Sequence, residues 1–226
     1  MMRFSTKRLA VSVLLAVLAF TLSGCWNPFA PDEGDPVEIP PAEYRDRLTP
    51  ENVLHNINTA YIYRNVDEYL DCLSEDFIFY PDERDVQNPE LEIPPEWYKV
   101  DEGAMHQNMF SENSNVESID LTLTVSSLVY DDGIPEDPLD DTAVCVVDVD
   151  LRVRVIGDLT YLATAQSQYN MRIDVDQPND PPDPNGTLWW EIYLWYDLGD
   201  TGRDGGEDGP GVQRVSLGEL KSLYME

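Results

Sequence analysis

The chain has 226 residues, with 44 acids against 14 Lys and Arg, 42% hydrophobic and 10% aromatic residues, 17 Pro and 3 Cys. That size supports one globular core with acidic, irregular connections. A formal charge of −30 offers a nucleic-acid backbone nothing to neutralise and disfavours adsorption to an anionic membrane surface.

Arg3, Lys7 and Arg8 precede an apolar stretch over 9–22, too short and wrongly flanked to span a membrane, which reads as a secretory signal. It runs into Leu22, Ser23, Gly24 and Cys25. This string resembles the lipobox of bacterial lipoproteins, in which small residues precede a cysteine that is acylated and becomes the new N-terminus. The resemblance implies a signal peptide over 1–24, lipid attachment at Cys25 and a place in the cell envelope. Trp26, standing where an Asp would signal retention, implies the outer membrane by the sorting pattern of Gram-negative lipoproteins. An ordinary signal peptide with an incidental cysteine is the other reading. Residues 25–48 carry Pro28, Pro31, Pro36, Pro40 and Pro41 among acids and read as an extended, solvated tether. No second apolar run of spanning length follows, so the expected membrane contact is through lipid alone.

The folded domain is expected over 49–226. Thr49, Pro50 and Glu51 open a helix as N-cap, first-turn proline and acid at the positive end of the dipole. Val53, Leu54, Ile57, Ala60 and Tyr61 then recur at helical spacing. Asn65, with Glu68 three residues on, starts a second short helix, and 77–80 reads as a short strand ended by Pro81. After a loop to Pro95, residues 101–110 suit a third helix with Met105, Met109 and Phe110 inward. Beyond Asn115 the period becomes two. Alternation around Ile119 to Val125, Cys145 to Val155, Tyr161 to Ile173 and Leu188 to Tyr196 predicts four long strands with one buried face, an antiparallel sheet. Gly157 and Asp158 make the tight turn between the second and third. Helices first and a meander after define an α+β fold.

This order resembles the NTF2-like cone of SnoaL-type and ketosteroid-isomerase-like proteins. Tyr61, Arg64, Asn65, Val66, Asp67, Tyr69 and Leu70, followed by Asp76 and Phe77, resemble its opening helix pair. Trp190, Ile192, Trp195 and Asp197 resemble its closing strand, and Gly218, Glu219, Leu220, Lys221 and Tyr224 a short terminal helix of secreted members. The resemblance implies a pocket between helices and sheet, lined by Tyr61, Cys145, Tyr161, Tyr169, Trp190 and Tyr196. The strand alternation puts no ionisable acid or base on that inward face, which counts against acid–base catalysis. Asp76, Glu102 and His106 are the candidates for an acid or base entering from a strand end or helix. The expectation is a lipid-anchored domain that binds a small apolar ligand or a protein partner without catalysis; the alternative is an isomerase or SnoaL-like enzyme with its acid or base in the cone.

Trp189, Tyr193 and Trp195 fall on the other face of the last strand by alternation and are candidates for a homodimer or envelope-partner interface, or for burial under the C-terminal segment. Cys72 and Cys145 have two readings, a helix-to-sheet disulfide in an oxidising compartment or two small buried hydrophobes. The sequence carries no cofactor motif and no metal-ligand spacing, and its acidic loops lack the EF-hand pattern.

Overall fold

The computed structural model describes residues 41–131, 141–174, 188–199 and 211–225, which from Ala42 onward belong to one unit. The signal segment, Cys25, the tether through residue 40 and the acidic stretches 132–140, 175–187 and 200–210 lie outside the described residues.

Helix α1 (Pro50–Tyr63) starts where the Thr49 hydroxyl accepts the Asn52 N–H at 3.3 Å. It ends at Arg64, whose φ of 52° turns its N–H back onto the Ala60 and Tyr61 carbonyls. Helix α2 (Val66–Asp71) starts on Asn65, which accepts the Glu68 N–H at 3.2 Å. These caps satisfy backbone groups that the helix itself leaves open. Strand β1 (Leu73–Tyr80) follows, then the single turn α3 (Glu83–Val86), β2 (Trp97–Tyr98) and helix α4 (Lys99–Phe110). The long strands are β3 (Val116–Asp131), β4 (Thr142–Val155), β5 (Leu159–Ile173) and the shorter β6 (Trp190–Asp197), and the described chain closes with β7 (Val212–Val215) and helix α5 (Leu217–Ser222).

The strands form one sheet in the order β2-β1-β6-β5-β4-β3, with β7 added to β5. The four long strands pair antiparallel, as alternation suggests, and the sheet as a whole is mixed because β1 runs parallel to β6, and β7 parallel to β5. Alternation reveals which face of a strand is buried, whereas strand direction is set by partners far away in sequence. β1 also extends well before 77–80, because Leu73 already pairs with Ile192 across a break in register that interrupts the alternation. Bulges between Val116 and Ser118 and between Val125 and Ser127 bend β3. Helices α1 and α4 cover one face, and between them and the sheet lies a core that includes Val53, Ile57, Phe77, Met105, Val147 and Met171. Helices packed on a curved, unclosed sheet in this order constitute the α+β, NTF2-like arrangement.

A further bulge changes the last long strand. Met171 pairs with Ile192, but Asn170 pairs with Leu194, so Tyr193 is the extra residue and the alternation slips by one. Trp195 therefore turns into the core at 3% exposure, and so does Asp197 at 6%. Tyr196, expected inside, faces the other way and stacks on Tyr80 with ring centroids 4.9 Å apart. The expected outward stripe is thereby broken up. Trp195 is core, while half-buried Trp189 and Tyr193 lie under the guanidinium groups of Arg47 and Arg172 at 5.0 and 5.3 Å.

Candidate functional site

The cone interior is filled by its own side chains. Tyr61, Tyr69, Phe79, Trp97 and Tyr169 are each 0–2% exposed, and Trp190 is 7%. Of the expected pocket lining, Tyr61, Cys145, Tyr169 and Trp190 are buried, Tyr161 is half-buried and Tyr196 is on the opposite face.

Two of the three acid–base candidates enter this interior from α4, whose capping box joins the Tyr98 backbone N–H to Asp101 at 2.9 Å. Glu102 and His106, one turn apart, are both 0% exposed. Tyr69 donates to Glu102 Oε2 at 2.7 Å, and Lys221 of α5 donates to Glu102 Oε1. His106 Nδ1 donates to the Glu102 carbonyl at 2.8 Å, which leaves Nε2 to accept from the Tyr61 hydroxyl, also at 2.8 Å. The His106 ring stacks on Tyr69 with centroids 3.8 Å apart. The third candidate, Asp76, is not in the cone. It is exposed and forms an ion pair with Arg172, which also holds Glu191 at 3.1 Å.

Lys221 is the residue that strand alternation and helix spacing do not point to. At 2% exposure its Nζ lies 3.7 Å from the centroid of the Phe79 ring and 3.8 Å from that of Trp195. With the Trp97 ring 5.9 Å away as well, the ammonium group has lost its water and gained an ion pair and three cation–π contacts. The only sequence sign of it is a lysine in a chain that has very few.

Protonation states follow from this packing. Burial pushes the Glu102 carboxyl up, but the Lys221 charge and the hydrogen bonds from Lys221 and Tyr69 outweigh it and hold it below the ordinary carboxylate range. Burial pulls the Lys221 ammonium down against the attraction of Glu102. It also brings His106 down to about 4, so the imidazole is neutral at pH 7, and it pushes the Tyr61 and Tyr69 hydroxyls well up. Glu102 and His106 thus have the perturbed protonation of a catalytic pair. Their acceptor atoms are nevertheless engaged by Lys221, Tyr69 and Tyr61, and neither residue faces solvent.

Cys72 and Cys145 are free, buried thiols, which settles their reading against a disulfide. The Cys72 thiol points at the carbonyls of Glu68 and Val53, at 3.3 and 3.8 Å, on the α1–α2 side. Cys145 sits in the middle of the sheet opposite Tyr169 and Leu128. Burial pushes their pKa values up to about 12 and about 11. Among the described residues, no group of three or more His, Cys, Asp or Glu is placed to hold a metal ion.

No protein-family model and no curated protein matches the chain. Among solved structures it is similar to a conserved protein from Planctomyces limnophilus, at 10% identity over 65% of this chain and 89% of that one, with a TM-score of 0.47. It is also similar to a ketosteroid isomerase-like protein from Erwinia carotovora atroseptica, at 11% identity over 65% and 90%, with a TM-score of 0.41. An NTF2-like protein from Cytophaga hutchinsonii is similar at 11% identity over 65% and 92%, with a TM-score of 0.42.

Proposed function

We propose that the chain is a cell-envelope lipoprotein, anchored through an acylated Cys25, whose NTF2-like domain acts as a binding module through its surface and performs no catalysis in its cone. The observation that supports a domain without catalysis in its cone is the sealed interior: Glu102 and His106 are 0% exposed, and their acceptor atoms are engaged by Lys221, Tyr69 and Tyr61. A reaction of the ketosteroid-isomerase or SnoaL kind needs one of these groups within hydrogen-bond reach of a substrate atom. The anchoring rests on the basic start, the apolar stretch and the Leu22, Ser23, Gly24, Cys25 string.

Each half has its own test. Fatty-acid labelling and membrane retention are expected for the natural chain and lost in Cys25→Ser; labelling that survives the substitution overturns the anchor. For the cone, diethyl pyrocarbonate is expected to modify half-exposed His55 and to leave His106 untouched until the protein is unfolded. Equal reactivity of the two histidines in the native protein would overturn the sealed interior and favour the isomerase or SnoaL-like alternative.

A further inference from the structure

One edge of β5 changes partner along its length: residues 167–173 pair with β6 and residues 160–163 with β7. Between the two, the chain leaves β6 through Gly199, whose carbonyl accepts the Gln166 N–H at 3.0 Å, and returns at Gly211, whose carbonyl accepts the Thr160 N–H at 2.8 Å. The seam encloses a recess of about 310 Å³ against α3 and α5. That volume lies at the lower end of the range for small-molecule sites. Leu162, Val215 and Leu217 give it an apolar wall.

The charges lining the recess are Asp82, Asp85, Asp197, Glu219, Arg84 and Arg214. Arg84 is committed to Asp82, with its Nε 3.1 and 3.0 Å from the two carboxylate oxygens and its Nη2 2.5 Å from Oδ2. Asp197 is 6% exposed; its Oδ1 accepts the Gly199 N–H at 2.9 Å and its Oδ2 has no hydrogen-bond partner. Asp85 is half-buried; its Oδ2 has no hydrogen-bond partner, while the Ser216 hydroxyl acts on the same carboxyl. Two glycines make room for these carboxylates. A Cβ at Gly199 would overlap the Asp82 carboxylate and the Arg84 guanidinium, and one at Gly218 would come within 2.9 Å of Asp85 Oδ2. Asp197 is pushed up to about 6, first by burial and then by the charges of Asp85 and Asp82, with the Gly199 N–H and Lys221 acting against them.

An unpaired carboxylate oxygen removed from water is costly unless a donor reaches it. Two of them, in a recess with an apolar wall and a net excess of acid, define the missing group as a cation that also donates hydrogen bonds. The described residues do not place three ligands for a metal ion, which favours an organic cation over a divalent one. We propose that the recess between α3, the end of β6 and α5 binds a small organic cation, an amine or guanidine on a short apolar body, with its donors on Asp197 and Asp85. The proposal deepens the surface-binding reading by naming a ligand class, and it is independent of the anchor at Cys25.

Isothermal titration of the purified full chain with agmatine and with benzylamine tests it, at a pH above the Asp197 titration and in about 0.15 M salt, so that diffuse attraction to the acidic surface is screened. One saturable site is expected for at least one amine, and none for benzyl alcohol. Asp197→Asn and Asp85→Asn should each weaken binding about tenfold to a hundredfold, the effect of losing a charge-assisted hydrogen bond. Asp67→Asn, on the exposed face of α2, should leave it unchanged. Absence of a saturable site for both amines overturns the proposal. Equal weakening by Asp67→Asn and Asp197→Asn also overturns it, since that would be bulk charge alone. Displacement of the amine by calcium chloride in a manner dependent on Asp197 would make the recess a metal site and overturn the organic-cation assignment. Loss of fatty-acid labelling or reactivity of His106 would bear on the proposed function and not on this site.

Discussion

Replacing Lys221 with Met keeps most of the length of the side chain and removes its charge. The variant leaves the Glu102 carboxylate at 0% exposure with Tyr69 as its remaining side-chain donor. Breaking a buried ion pair from one side costs about 3 to 5 kcal/mol, because the stranded charge keeps its desolvation penalty. The thioether recovers part of the lost contact with Phe79 and Trp195, about 1 kcal/mol. With a urea dependence of about 2 to 3 kcal/mol per molar for a domain of this size, the unfolding midpoint at neutral pH should fall by about 1 to 2 M, read by the tryptophan fluorescence that Trp195 contributes. The loss should shrink toward acid, since an unpaired buried carboxyl binds its proton more tightly in the folded state than in the unfolded chain. Glu102→Gln in the same chain should restore most of the midpoint, because the neutral amide still accepts from Tyr69 and no buried charge is left alone. A single variant that costs less than about 1 kcal/mol, or a double variant whose cost is the sum of the two singles, would refute the buried pair as the element that closes the cone.

Asp197→Asn is expected to stabilise the ligand-free protein. The folded state holds this proton more tightly than the unfolded chain, so ionisation removes stability as the pH rises from the ordinary value of 3.8 through about 6, by at most about 3 kcal/mol. The gain should be present at pH 8 and absent at pH 4 in urea melts; destabilisation at pH 8 would contradict the orphaned oxygen. His106 runs the other way. Its folded-state pKa is depressed from 6.5 to about 4, so the stability held by the neutral ring is lost as the pH falls through that interval, by about 3 kcal/mol. The advantage of the natural chain over His106→Gln should shrink accordingly between pH 7 and pH 4, and a flat difference would rule out a sealed imidazole. Trp195→Asp should unfold the domain, because it buries a charge at a 3% exposed core position. Sedimentation showing a folded protein with altered association would restore Trp195 to an interface.

The helix pair and the four long strands are legible in the sequence because their signals are local. Thr49 and Asn65 act on N–H groups three residues away, and the alternation in β4 repeats without interruption from Ala143 to Val155. Glu102 and His106 are legible as candidates because they share a helix with Met105 and Met109. Trp195 and Tyr196 are assigned to the wrong faces because the bulge at Tyr193 exists only against β5, which alternation within β6 cannot register. Lys221 is illegible for a related reason. A lysine near the end of an acidic chain reads as solvated, and its burial is decided by Glu102, Phe79 and Trp195, all brought from elsewhere. The recess escapes the sequence too, since it arises where two strands share one edge of a third.

The ion pair at the centre of the cone joins residues 119 positions apart, and the parallel pairing of β1 with β6 spans a similar interval. Both contacts carry a large loop-closure entropy, and the first must wait for α5. Until Lys221 is available, a chain that has built α4 holds an acid against its forming core with no cation to meet it. Closure of the cone is therefore expected to follow the formation of α5, and removal of that helix should leave the cone open.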